Sequence, residues 1–224
     1  MGGSFDPVHW GHLVAAEQAR EHFGLAQVLF VPCGVPPLPK DYPVSAPEHR
    51  FAMALLATAD HPQFSVSRIE IERPGPSYTL DTLRTLRAEQ RAGAEYFVIT
   101  GADAVQELPR WRRPREVVEL CTLVAVTRPG YELSELHRKL PSELAERVQV
   151  LPIPGFDLSS TEVRARVARG QTIRYLVADA VGAYIAKWGL YRKAGGKRPA
   201  AGQGESACQA EPVVSAEEAR MRGG

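Results

Sequence analysis

The sequence predicts an α/β fold built on a parallel sheet, and three observations carry that reading. Short runs rich in branched and aromatic residues alternate along the chain with helix-length amphipathic runs. A Gly-Gly turn at positions 2 and 3 leads into a helical stretch, and a helix start carries free N–H groups that suit phosphate. A Gly-x-Asp, Gly101-Ala102-Asp103, closes one of the strand-like runs, where open α/β sheets take ligands.

Composition sets the outer bounds. At 224 residues, with 44% apolar and 24% charged residues, the chain can bury one sizeable core, alone or with a tail. A net charge of +1 gives no general bias towards nucleic acid or a membrane surface. The three cysteines, Cys33, Cys121 and Cys208, are far apart and follow no metal or disulfide spacing, which points to a reducing cytoplasm. No basic-then-apolar segment opens the chain, and no apolar run approaches the ~20 residues of a membrane helix. The expectation is a cytoplasmic protein without nucleic-acid or membrane partners.

The elements follow in order. In GGSFDPVHWGH, Gly2 and Gly3 allow a turn that side chains would block, and Pro7 stiffens the loop. WGHLVAAEQAREHF, from Trp10, reads as an amphipathic helix with Gly24 as its C-cap. His9 and His12 stand at i, i+3 on the helix start, with Gly11 between them, and their imidazoles add donors to those of the backbone. The residues alone point to a nucleotide-phosphate site. Gln27–Val31 reads as a short buried strand, and Pro32–Pro47 as a loop with six prolines, long enough to suggest function. Ser45–Glu48 has capping-box spacing ahead of a buried helix at Arg50–Ala59, where Arg50 faces either the site or solvent. Phe64–Ile71 alternates as a half-buried strand, and Pro74–Leu80 leads into a helix starting near Ser77 or Thr79. Glu95–Thr100, Thr122–Thr127 and Val148–Ile153 read as strands, with a turn at Arg128–Tyr131 and surface helix or loop at Glu132–Leu140 and Glu143–Arg147. Asp157–Arg164, DLSSTEVR, sets adjacent hydroxyls at a helix start and an arginine one turn inside, where it can grip phosphate in a bidentate way. Leu176–Trp188 reads as a closing amphipathic helix ending at Gly189, and from Ala194 the composition is that of a disordered tail.

GGSFDPVHWGH resembles the GG-x-F-D/N-P-x-H-x-G-H signature of the nucleotidyltransferase superfamily, and its double glycine and two histidines resemble the nicotinate mononucleotide adenylyltransferase branch. DLSSTEVR resembles the superfamily's I-S-S-T-x-x-R, with Leu158 in place of isoleucine. Further likenesses are Ser77-Tyr78-Thr79 to S-Y-T-x-x-T-L, Gly101-Ala102-Asp103 to G-x-D, and Arg128–Tyr131 to R-P-G-Y, so the resemblance runs from Gly2 to about Arg192.

The resemblance implies a doubly wound, Rossmann-like parallel sheet with helices on both faces. It implies a nucleotidyltransferase domain over 1–193 and a tail over 194–224. The implied reaction joins ATP and nicotinate mononucleotide, with Mg2+ carried mainly by ATP and no protein metal site. Gly2, Gly3, Ser4, Phe5, Gly11, Lys40, Gly101, Asp103, Ser159 and Ser160 would then bind ATP. His9, His12 and Arg164 would be catalytic, and Thr79 and Trp111 would meet the pyridine ring and its carboxylate. Arg112, beside Trp111, is a local candidate for drawing in that carboxylate. The family's Pro-Pro-His-Lys element is Pro36-Pro37-Leu38-Pro39-Lys40 here, so only Lys40 carries over. Lys40 also reads as a solvated lysine, Thr79 as a helix cap and Trp111 as a core residue. The four arginines at 110, 112, 113 and 115 raise single-strand binding, although one short patch in a nearly neutral chain suits a mononucleotide better.

Family members have a strand before the double glycine, where this chain has only Met1, so the first strand is expected to be truncated. A start a few residues upstream is the corresponding expectation. The rival readings are a sister enzyme acting on phosphopantetheine, a non-catalytic nucleotide-binding module, and a metal site at His9 and His12. Two histidines with no third close ligand make a poor zinc site. Oligomeric state is left open, a homo-oligomer included.

Overall fold

Strands and helices alternate from the amino end in the computed structural model, which describes residues 1–89, 93–127, 138–154 and 158–192. The chain divides into Met1–Arg192 and Lys193–Gly224, and the second unit lies outside the described residues. So do the turn at Arg128–Tyr131, most of Glu132–Leu140, and Asp157.

Strands β1 (Gly2–Gly3), β2 (Val28–Pro32) and β3 (Phe64–Val66) form one parallel sheet, with Gly2 opposite Val31 and Val28 opposite Phe64. Strands β4 (Phe97–Gly101), β5 (Thr122–Thr127) and β6 (Val148–Pro152) form a second, with Val98 opposite Leu123 and Leu123 opposite Val148. Set end to end, the sheets read 3-2-1 and 4-5-6, the doubly wound order whose chain reversal lies between β1 and β4. β1 and β4 approach within 8 Å between Cα atoms. Among the described residues β1 is two residues long and ladders only with β2, so the one expected sheet is seen as two three-stranded ones.

The helices are α1 (Trp10–Phe23), α2 (Pro47–Thr58), α3 (Thr79–Glu89), α4 (Ala102–Gln106), α5 (Pro114–Leu120), α6 (Ser142–Ala145), α7 (Ser160–Ala168) and α8 (Asp179–Trp188). They cover both faces because β5 is apolar on both. Val124 packs with Leu13, Ala16, Val163 and Val181 of α1, α7 and α8. Its neighbours Leu123 and Ala125 pack with Val105, Val118 and Leu144 of α4, α5 and α6. A strand buried on both faces reads as a continuous apolar run, as TLVAVT does. α1 and α8 end on Gly24 and Gly189, both left-handed at φ 62° and 63°, a conformation glycine adopts without a Cβ clash. No described helix is long and apolar enough to cross a membrane.

Three expectations need correction. The capping box at Ser45–Glu48 does not form: Ala46 is the N-cap and Pro47 opens α2, while Glu48 pairs with Arg68 at 2.8 Å. β3 stops at Val66 instead of Ile71, because Ile71 and Glu72 turn back to donate to the Arg68 carbonyl. α8 starts at Asp179 instead of Leu176, whose carbonyl is taken by the Trp10 N–H at 3.1 Å.

Candidate active site

The two sequence motifs meet. Ser160 Oγ donates to the Pro7 carbonyl at 2.8 Å, and Arg164 Nη1 donates to the Asp6 carbonyl at 2.8 Å, across more than 150 positions of chain. Ser159 caps α7 by accepting from the Glu162 N–H at 3.1 Å. Two helix starts, α1 and α7, thus face a common cavity of about 520 Å3. Its wall includes His9, Gly11, His12, Gly101, Asp103, Ser159 and Ser160, at the carboxyl ends of β4, β5 and β6. Positive helix ends and convergent donors make this a place for anionic groups.

The histidines are arranged by their neighbours. His9, in extended conformation, is the N-cap of α1, and its ring lies 3.8 Å from that of His12 between centroids. His12 Nδ1 accepts from the His9 backbone N–H at 3.2 Å, which leaves the proton of the neutral ring on Nε2, free to donate. Burial, then the neighbouring His9, holds His12 well below the usual imidazole range, so it is a neutral donor at pH 7. Gly11 makes the pairing feasible, since a Cβ there would meet His9 Nδ1 and Cε1 at 3.1 Å.

A second cavity, about 1080 Å3, adjoins the first at Met1. Gly2, Gly3, Ser4, Lys40, Thr79, Trp111 and Arg112 line it. Lys40 is exposed, on the proline-rich loop. Trp111 is half-buried, packed against both smaller core clusters and still open to the cavity, so the core and ligand readings of it meet in one residue. Arg112 is half-exposed, pairs with Asp81 at 3.0 Å and lies 4.9 Å over the Tyr78 ring. Two expected residues line neither cavity. Phe5 is a core residue, 2% exposed, whose ring supports His12 edge-on at 5.1 Å. Arg164 sits beside the first cavity, held by Asp6, Thr161 and the face of Tyr42.

Other residues escaped the sequence reading. Arg50 faces neither site nor solvent: it is 1% exposed and donates to the carbonyls of Ser45, Ser4 and Gly34 at 2.9, 3.0 and 3.0 Å. Asp6 is fully buried, accepting from the Tyr191 hydroxyl at 2.6 Å and the Ser45 N–H at 3.1 Å. Burial and then Asp6 drive the Tyr191 hydroxyl up, so it stays a donor. Glu70 lines the second cavity, where burial raises its carboxyl and the Thr82 hydroxyl donates to it at 2.7 Å. Among the described residues no group of three His, Cys, Asp or Glu side chains could hold a metal ion.

Comparison with known proteins gives a consistent family. Residues 1–166 match the cytidylyltransferase-like family model. A Salinispora arenicola protein named "Probable nicotinate-nucleotide adenylyltransferase" is 51% identical over 193 residues, covering 86% of this chain and all of that protein. One of the same name from Moorella thermoacetica is 47% identical over 195 residues, covering 86% of this chain and 90% of its own. Among solved structures, Plasmodium falciparum nicotinic acid mononucleotide adenylyltransferase complexed with NaAD superposes with a TM-score of 0.68 at 18% identity, over 85% of this chain and 94% of that one. At that identity the likeness speaks for the fold. On the family model and the relatives, the chain belongs to the nicotinate-nucleotide adenylyltransferase family, within the cytidylyltransferase-like proteins.

Proposed function

We propose that the protein transfers the adenylyl group of ATP to nicotinate mononucleotide, giving nicotinate adenine dinucleotide and pyrophosphate. The observation that carries this reading is the contact of Ser160 and Arg164 with Pro7 and Asp6, which sets a histidine turn and a serine-capped helix around one anion-binding cavity. The relatives at about 50% identity supply the acceptor.

The chemistry asks for alignment more than for proton transfer. The 5′-phosphate of the mononucleotide has its second pKa near ~6 and is mostly a dianion at neutral pH, so it attacks the α-phosphorus without a general base. Negative charge then moves to the leaving pyrophosphate. His12 donates from Nε2 to that charge, with His9 packed beside it. The Ser159 hydroxyl, the Ser160 backbone N–H at the start of α7 and Arg164 hold the β- and γ-phosphates, Gly11 and the start of α1 supply close backbone approach, and Lys40 reaches in from its loop. Such donors are already in place and do not reorganise as charge develops. Gly101 and Asp103 flank the nucleoside, while Trp111 offers a flat face to the pyridine and Thr79 and Arg112 meet its carboxylate. Mg2+ enters as part of the MgATP substrate.

The test is a substrate panel with MgATP and, in turn, nicotinate mononucleotide, its amide and phosphopantetheine. Nicotinate mononucleotide gives the highest kcat/KM on this reading. Preferred turnover of phosphopantetheine would assign the sister activity, and ATP binding without pyrophosphate release would assign a non-catalytic module. Arg112→Ala lowers the preference for acid over amide; an unchanged preference removes Arg112 from carboxylate selection.

A further inference from the structure

We infer that Tyr42 is a positioning residue for Arg164, and that their stacking couples the proline-rich loop to the phosphate end of the site. The inference rests on the proposed role of Arg164 toward the triphosphate. The Arg164 guanidinium carbon lies 3.6 Å from the centre of the Tyr42 ring. In its own plane the guanidinium is held at two points, Nη1 to the Asp6 carbonyl at 2.8 Å and Nη2 to Thr161 Oγ1 at 3.1 Å. Two in-plane bonds still allow the group to tilt about the line joining them, and a ring against its face removes that freedom. An aromatic partner also leaves the remaining N–H edges unclaimed, whereas a carboxylate would compete with phosphate for them. No carboxylate pairs with Arg164 among the described residues.

Arg164 and the loop just beyond Tyr42 are tied to the same residue. Asp6 receives Arg164 on its carbonyl and the Ser45 N–H on its carboxylate, at 3.1 Å, and Ser45 follows Tyr42 by three positions. Arg50 holds the Ser45 carbonyl at 2.9 Å. Lys40, two positions before Tyr42, lines the second cavity. The stack thus joins the loop that carries Lys40 to the arginine of α7, so that a displacement of the loop is felt at the guanidinium.

The experiment is a double-mutant cycle in the full chain, with Tyr42→Leu, Arg164→Ala and the pair. It reads the Kd of a non-hydrolysable ATP analogue and the steady-state constants, with Tyr42→Phe as the conservative variant. Tyr42→Leu weakens analogue binding and lowers kcat/KM for MgATP about threefold to tenfold, with KM for nicotinate mononucleotide unchanged. Tyr42→Phe stays within about twofold of the native protein, since the ring face is kept. In the Arg164→Ala background Tyr42→Leu has no further effect. An equal loss in both backgrounds, a Phe variant as impaired as Leu, or a native-like Leu variant each overturns the inference. The binding cycle needs no acceptor, so an enzyme that turns over another acceptor loses the proposed function and still reports the coupling. A native protein that fails to bind the analogue overturns both.

Discussion

Arg50→Ala should cost more stability than any surface change in this protein, and the structure sets the size of the loss. The native guanidinium is 1% exposed and makes three bonds, to Ser45, Ser4 and Gly34. Truncation leaves three inward-facing carbonyls short of a donor, at about 1 kcal/mol each, and opens a side-chain-sized void worth a further 1 kcal/mol or more. Removing a buried cation also removes its desolvation cost, which offsets part of the loss. The balance is about 3 kcal/mol, or roughly 10 °C in Tm for a folded unit of this size. Arg50→Lys keeps the charge without the three-pronged fork and loses about half as much. Urea unfolding gives the midpoint and slope, and calorimetry gives Tm. Gly2 and Gly3 form strand β1 and not the expected turn, and the three tethered segments are the residue that follows this strand, the start of the proline-rich loop and its end, so MgATP affinity falls as well at temperatures where the variant is folded. An Arg50→Ala protein within about 1 kcal/mol of native would refute the view that this residue organises the loops.

Three further outcomes follow from the site. His12→Ala lowers kcat about a hundredfold or more and changes the Kd of an ATP analogue by less than about threefold, because the donor acts on charge that develops during transfer; equal losses in both would make the residue an anchor. Gly11→Ala separates stability from activity: alanine favours the helix by up to about 1 kcal/mol, while its methyl, 3.1 Å from two atoms of the His9 ring, displaces that ring and lowers kcat about tenfold. Unchanged kcat in that variant would contradict the packing argument. The third is pH dependence. His12 stays neutral in the folded state below the point where the unfolded imidazole, near ~6.5, takes a proton. The unfolded chain then binds more protons, so this residue subtracts stability as pH falls below about 6.5. Glu70, with its raised carboxyl, slopes the other way, and the native-minus-His12→Gln difference in urea midpoint isolates the histidine. A difference that does not change between pH 7 and pH 5 would contradict the assignment.

What the sequence made legible is local. TLVAVT at Thr122–Thr127 and the helix after Trp10 were read at their bounds because burial on both faces, or on one helical stripe, leaves a periodicity behind. The histidine turn and the serine helix start were readable because fixed residue types stand at fixed spacing, and the family resemblance joined them. Arg50 was not legible, since an arginine amid apolar neighbours on α2 is buried only because carbonyls 5, 16 and 46 positions away converge on it. Glu70 was not legible because the alternation in Phe64–Ile71 slips at Ser67-Arg68, so period two assigns it no fixed face, and only the turn at Arg68 settles its burial. Tyr42 and Asp6 carry no motif for their partners, because a ring-to-guanidinium stack and a shared carboxylate are settled by tertiary contact alone.

The most direct test of direct transfer between aligned substrates is stereochemical. ATP of defined configuration with sulfur at the α-phosphorus is allowed to react with nicotinate mononucleotide and Mg2+, and the configuration of the dinucleotide product is determined. A single in-line displacement predicts inversion at phosphorus. Retention would mean that the adenylyl group first rests on a protein nucleophile, with His9 or His12 the nearest candidate, and would contradict the account.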